Sequence, residues 1–227
     1  MCTNYRAPGE DPGQSELRID LGELWRRTPW DPEVYPDRAA PIVTAEPAEP
    51  AGRRGVVAVF GFWPKRVQDA RRAQARDAGR PVPALLATVN ARAETVGASR
   101  LYGAAWRDGQ RCLIPARWIY EPNWETGRHV RFRIGLAGWR PFCVAGIWRA
   151  YANRDGDTVI GMAMLTVSAE GHPVMSRMHR PGDEKRTVVV VRPDEYDEWL
   201  GTRNPDIARS ILQVPDAGDM DAEPAVD

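Results

Sequence analysis

The sequence predicts a single α+β domain with a barrel-like mixed sheet at its core and a few flanking helices. Three observations carry that expectation. Short apolar runs of strand character recur between residues 55 and 191, Gly and Pro punctuate them, and only three stretches read as helical. A chain of 227 residues is long enough to bury a real core without disulfides or a structural metal. It contains no internal repeat.

The elements follow in order. Residues 7–15 are rich in Pro and Gly and read as loop. From Glu16 to Arg27, Leu17, Leu21, Leu24 and Trp25 fall at helical spacing. Pro36, Pro41, Pro47 and Pro50 make the stretch from Tyr35 to Arg54 extended or irregular. Gly55 to Trp63 is a strand-like run ended by Pro64. Arg66 to Ala78, rich in alanine and arginine, is a solvated helix or a flexible excursion. Pro83 to Val89 leads into the segment Asn90 to Thr95. Strands are expected over Arg111 to Pro115, Val130 to Ile134, Pro141 to Trp148, Val159 to Val167 and Thr187 to Val191. A short helix is expected over Asp194 to Leu200. The domain is expected to span 1–214, with 215–227, acidic and poor in large apolar residues, as a disordered tail.

Composition narrows the function classes. The formal net charge is zero, so no whole-protein field announces a nucleic-acid partner. Lys65 and Lys185 are the only lysines, and arginine supplies every other cation. Arginine recognises phosphate in a planar, bidentate way, although a GC-rich genome gives the same bias. Cys2, Cys112 and Cys143 have no metal-type spacing and leave one thiol unpaired, which argues against a disulfide scaffold. No cofactor or metal is expected. No stretch approaches the roughly 18 apolar residues of a membrane helix, and no apolar h-region opens the chain. A cytoplasmic protein of a reducing compartment is expected.

Four segments hold the candidate chemistry. Cys2 follows Met1, and removing Met1 leaves an α-amine and a thiol on one residue. That 1,2-aminothiol condenses with an aldehyde and closes to a thiazolidine ring, which no internal cysteine can do. An unperturbed α-amine titrates at about 7.7–8.0, so part of it is nucleophilic at neutral pH. Asn90 follows an apolar run, where loops leave a rigid scaffold. Glu121 ends the run Leu113, Ile114, Trp118, Ile119, Tyr120, and a carboxyl beside aromatic rings can have a raised pKa suited to acid–base work. His179 is a proton shuttle for neutral pH. Taken singly, Cys2 also reads as a small residue at a frayed terminus, Asn90 as a turn former, Glu121 as an ion-pair partner and His179 as a surface residue.

Together these segments resemble the SRAP family, the SOS-response-associated peptidase proteins that shield abasic sites. The matching residues are Met1-Cys2, Asn90-Ala-Arg-Ala-Glu-Thr95, Arg111-Cys-Leu-Ile-Pro-Ala followed by Tyr120-Glu121, and His179-Arg180 before the Val188–Val191 run. The match spans Cys2 to the 194–200 segment. The resemblance implies a β-barrel-centred α+β fold that binds single-stranded DNA, and an N-terminal cysteine that crosslinks to the ring-opened aldehyde of an abasic site. Some positions depart from the family pattern. Thr3-Asn4-Tyr5-Arg6 replaces the usual Gly-Arg after Met-Cys, so a phosphate-contacting arginine is displaced to Arg6 or lost. Arg38-Ala-Ala-Pro41 lacks the family's asparagine, Phe60-Gly61 stands at its Trp-Gly, and Lys65-Arg66 stand where an aromatic wedge is common. His179-Arg-Pro-Gly-Asp-Glu-Lys-Arg186 replaces His-Asp-Arg-Met-Pro. His172 is a rival to His179, but only His179 is followed by arginine close before the strand.

The resemblance implies a catalytic set of Cys2, Asn90, Glu121 and His179. Glu121 would open the abasic sugar, His179 would protonate the leaving oxygen or the imine, and Asn90 would position the Cys2 amine. Arg92, on the face of Asn90 if that segment is extended, would hold a phosphate together with Arg6 and Arg180. Trp63, Trp106 or Trp118 would stack flanking bases. The expected partner is single-stranded DNA containing abasic sites, bound by a monomer that joins the nucleoid on damage. Only Met1 precedes Cys2, so aminopeptidase processing is expected to suffice without autocatalytic cleavage. Two other classes remain: a thiol hydrolase using Cys2, His179 and Glu121, and a non-catalytic single-strand binder in which Cys2 is inert. A hydrolase tolerates a blocked α-amine, a thiazolidine former does not, and a passive binder is indifferent to Cys2.

Overall fold

The computed structural model describes residues 2–9, 17, 19–46, 52–152 and 157–225. Most of the loop expected over 7–15, together with Glu16, Pro47 and Pro50, lies outside them.

The core is a closed barrel. Strands β3 (Ala39–Ala45), β4 (Arg53–Phe60), β6 (Arg111–Ala116), β9 (Phe142–Ala152) and β10 (Thr158–Ser168) pair in a ring, β10 to β4, β3, β6, β9 and back to β10. Only the β4–β10 contact is parallel, so the barrel is mixed. Closure there depends on Gly161. A Cβ at this position would lie 2.5 Å from the Phe62 carbonyl oxygen and 2.6 Å from that of Gly61. Only glycine lets the two backbones approach this closely. The stretch read as extended or irregular from Tyr35 to Arg54 contains the extended strand β3, whose centre is fully buried despite Pro41.

Three short strands extend the ring. β5 (Asn90–Arg92) runs parallel to β10, pairing Met164 with Asn90 and Thr166 with Arg92. The run Thr187–Val191 divides into β11 (Arg186–Val188) on β10 and β12 (Val190–Val191) on β9. Val189 crosses between them, donating to Leu165 O and accepting from Ala145 N.

The second sheet is antiparallel, in the order β13 (Met220–Pro224), β8 (Val130–Leu136), β7 (Trp118–Asn123), β1 (Tyr5–Arg6) and β2 (Glu33–Val34). One continuous apolar core joins both sheets, running from Cys2 and Tyr5 through Ile119 to Met164 and Val191. β13 corrects the expected disordered tail. Its backbone pairs with β8 from Met220↔Leu136 to Pro224↔Phe132, Glu223 bridges to Arg133, and Asp221 accepts from Gly138 N at 2.8 Å. Acidic side chains with basic and backbone partners do not need a core of their own.

Helices flank the sheets. α1 (Gly22–Arg27) is shorter than its apolar spacing suggests: its N-cap is Leu21, and just before it the Asp20 carboxylate accepts from Gly22 N at 2.8 Å in a local turn. α2 (Lys65–Asp77) is a helix, as its alanine content allows. α3 (Gly103–Arg107) and α4 (Tyr196–Gly201) clasp buried Arg111, whose Nε donates to Trp199 O at 2.9 Å between the rings of Trp106 and Trp199. α5 (Pro205–Ser210) follows.

Candidate active site

Cys2, Asn90, Glu121 and His179 converge where β1, β5, β7 and the loop before β11 meet. Tyr120 N donates to Asn4 O at 3.0 Å, continuing the β1–β7 ladder beyond Tyr5 and bringing Cys2 to the Glu121 end of β7. Cys2 is 1% exposed, and its Sγ–H donates to Asn4 O at 3.3 Å. Burial, reinforced by the nearby Glu121 charge, pushes its thiol pKa far up. Asn90 Nδ2 donates to Cys2 O at 2.7 Å, and its own carbonyl accepts from Tyr102 Oη at 3.0 Å. Asn90 Oδ1 is buried beside Cys2 without a hydrogen-bond partner among the described residues.

Alternation along β7 turns Glu121 and Asn123 inward and Trp118 and Tyr120 to the other face. The rings that were expected to surround Glu121 therefore point away from it, and Tyr120 Oη donates instead to Glu33 at 2.7 Å. Glu121 meets His179, with Oε2 and Nε2 2.8 Å apart and both residues buried. His179 has a left-handed backbone, φ 61°, an uncommon conformation that surrounding contacts must hold. Three anchors hold it. His179 N donates to Pro122 O at 2.7 Å, and Met178 bridges to Asn123. The Lys185 ammonium donates to the carbonyls of Met178, His179 and Arg180 at 2.7, 3.2 and 3.0 Å.

His172 is not the rival that the sequence allowed. Its Nδ1 accepts from Val174 N and Met175 N at 3.2 and 3.1 Å. Its proton therefore sits on Nε2, which donates to Pro215 O at 2.9 Å. His172 is a backbone cap.

The expected DNA-contacting residues have protein partners in this structure. Asn90 and Arg92 share one face of β5 around buried Ala91, but Arg92 forks onto Glu184. Glu184 also binds Arg186, which pairs with Glu94, and these arginines hold both carboxylates below the usual range. Arg6 pairs with Glu33 at 3.0 Å and lies over the Trp118 ring. Trp63 is half-buried beneath Arg71. Trp106 is buried in the α3–α4 clasp, so it offers no face to a base. Arg180 lies over Trp124. Sequence reasoning missed Lys185, Glu184, Tyr102 and Trp124. The dense charge of 183–186 was the only available signal for the first two.

The model of the SOS response associated peptidase (SRAP) family matches residues 1–226. The chain belongs to the SRAP family. No curated protein matches it. Among solved structures, a Bordetella bronchiseptica protein is 25% identical with a TM-score of 0.78, covering 99% of this chain and 100% of that one. A Bacteroides thetaiotaomicron protein is 18% identical with a TM-score of 0.73, over 100% and 93% of the two chains. A phage-related protein from Bordetella bronchiseptica is 16% identical with a TM-score of 0.61, over 100% and 94%. These likenesses show the SRAP-type single-domain fold. The family's name ties the protein to the SOS response to DNA damage. No helix among the described residues is long and apolar enough to cross a membrane.

Proposed function

We propose that this SRAP protein binds single-stranded DNA at abasic sites and joins Cys2 covalently to the opened sugar. The convergence of four distant segments carries this reading: Asn90 grips the Cys2 carbonyl at 2.7 Å, and Glu121 meets His179 at 2.8 Å beside it. Glu121 takes the proton of the C1′ hydroxyl while O4′ gains one from His179, which breaks the C1′–O4′ bond and frees the aldehyde. Once Met1 is removed, the Cys2 amine adds to C1′ and water leaves, giving an imine. The thiol then adds to the same carbon, its proton passing to nitrogen, and the thiazolidine closes without any redox change. The buried, pKa-raised thiol favours this order, with the amine first and sulfur second. Asn90 Oδ1, buried without a partner among the described residues, suits the amine or the thiazolidine N–H. A hydrolytic Cys2–His179 pair has less support, because the thiol donates to Asn4 O and His179 Nε2 faces Glu121.

Incubation with a single strand carrying one abasic site, followed by denaturing electrophoresis, is expected to give a heat-stable adduct. Cys2→Ala and an N-terminal extension that blocks the amine should both abolish it. Cys112→Ala and Cys143→Ala should retain it, since both thiols are buried in barrel strands. An adduct that survives loss of Cys2 rejects the thiazolidine, and no adduct from Met1-free protein rejects the reading.

A further inference from the structure

β7 ends at Asn123, and the turn after it is tightly tied. Asn123 Oδ1 accepts from Glu125 N at 3.0 Å, and Arg177 forks onto Glu125 at 2.9 and 2.8 Å. Trp124, between these anchored residues, is half-buried and fixed. Its ring lies 4.9 Å from the Arg180 guanidinium and 6.0 Å from the His129 ring, which is tilted by 36°. These groups, with Pro122, His179 and Asp183, line an open depression of about 420 Å³. Two aromatic rings and a planar cation beside it suit a flat, conjugated ring, and bases stack on indoles and guanidinium planes alike. His179 forms one wall, so an occupant sits next to the Glu121–His179 pair. An abasic nucleotide has no base to place there, whereas its neighbour does.

We infer that this depression seats one nucleobase adjacent to the abasic sugar, held by the Trp124 ring together with the Arg180 guanidinium that lies over it. The inference rests on the proposed function and adds a subsite with a side: only the base 5′ or only the base 3′ of the lesion occupies it.

Single-turnover crosslinking is compared on three strands: the abasic site between two adenines, and the same strand with a baseless spacer in place of either neighbour. At subsaturating protein, one spacer alone should slow the wild-type protein roughly tenfold, within the range that one base–aromatic stack supplies. Trp124→Ala should show the same loss on the all-adenine strand and no further loss with that spacer. Trp124→Phe, which keeps a ring, should regain the dependence and so exclude a folding defect. Equal wild-type rates on all three strands, or additive losses from spacer and Trp124→Ala, overturn the seat. Failure to form any Cys2-dependent adduct would count against the underlying reading instead. The seat is then decided by quenching of a 2-aminopurine strand: quenching lost in Trp124→Ala supports it, and unquenched 2-aminopurine with wild type overturns it.

Discussion

At the residue scale, the four proposed site residues form two contact pairs, Asn90 on Cys2 and Glu121 on His179. Asn90 touches Cys2 through a neutral amide, whereas Glu121 and His179 touch each other. Their losses should therefore differ in kind. Glu121→Gln keeps the shape and a polar contact to His179 but cannot accept a proton. Proton-transfer groups typically contribute 10²–10⁴-fold. Glu121→Gln should slow crosslinking to a closed abasic sugar on that scale, yet slow an oligonucleotide bearing a free aldehyde much less. His179→Ala should slow both substrates if it also protonates the imine. Asn90→Ala should lower rate or adduct lifetime on both without distinguishing them. Single-turnover rates of the three variants on the two substrates check this, and equal slowing of both by Glu121→Gln removes ring opening from its role.

At the element scale, β5 and β11 lie on β10 and bring Arg92, Glu94 and Arg186 to a common edge, where Glu184 joins them. Under the proposed function, Glu184 occupies the fork of Arg92 that a phosphate would use, so the carboxylate and the DNA backbone would compete. Glu184→Gln should strengthen single-strand binding. Because a freed arginine displaces about one more counterion, the slope of log K against log salt should steepen by about 0.7. Fluorescence anisotropy across a salt series measures this, and an unchanged slope would show that Arg92 meets no phosphate. The network also marks where the sequence stopped being readable. Long apolar runs exposed β4, β9 and β10, and the distinctive order of short motifs exposed Cys2, Asn90, Glu121 and His179. A fork between Arg92 and Glu184 joins residues 92 apart in the chain, and no local pattern encodes it. The same holds for Lys185, whose three carbonyl partners exist only once the His179 loop has folded. β13 escaped notice because Met220 and Ala222 are its only core contacts, too few for an apolar pattern, and backbone pairing with a bridge to Arg133 holds the rest.

At the scale of the whole molecule, the apolar core shared by the barrel and the second sheet encloses three thiols. Cys2, Cys112 and Cys143 are all buried. Burial raises each pKa, with Cys143 pushed up to about 12. In the unfolded chain a thiol ionises near 8.5. Above that pH the unfolded state holds fewer protons than the folded one, so the stability change with pH is negative. Stability attributable to these groups is complete below about pH 8.5 and is lost as pH rises towards the folded values. The slope approaches about 1.4 kcal/mol per pH unit for each thiol. Urea midpoints measured from pH 7.5 to 10 under reducing conditions should therefore hold up to about pH 8.5 and fall increasingly above it. Replacing all three cysteines with alanine should lower stability at neutral pH, by leaving small voids, but flatten the alkaline decline. Tyr5, also buried and raised, adds its own loss only above about pH 10, so the lower part of the range isolates the thiols. A wild-type curve that stays level from pH 7.5 to 10, or an undiminished slope in the alanine variant, would mean that the barrel opens enough to let these thiols ionise.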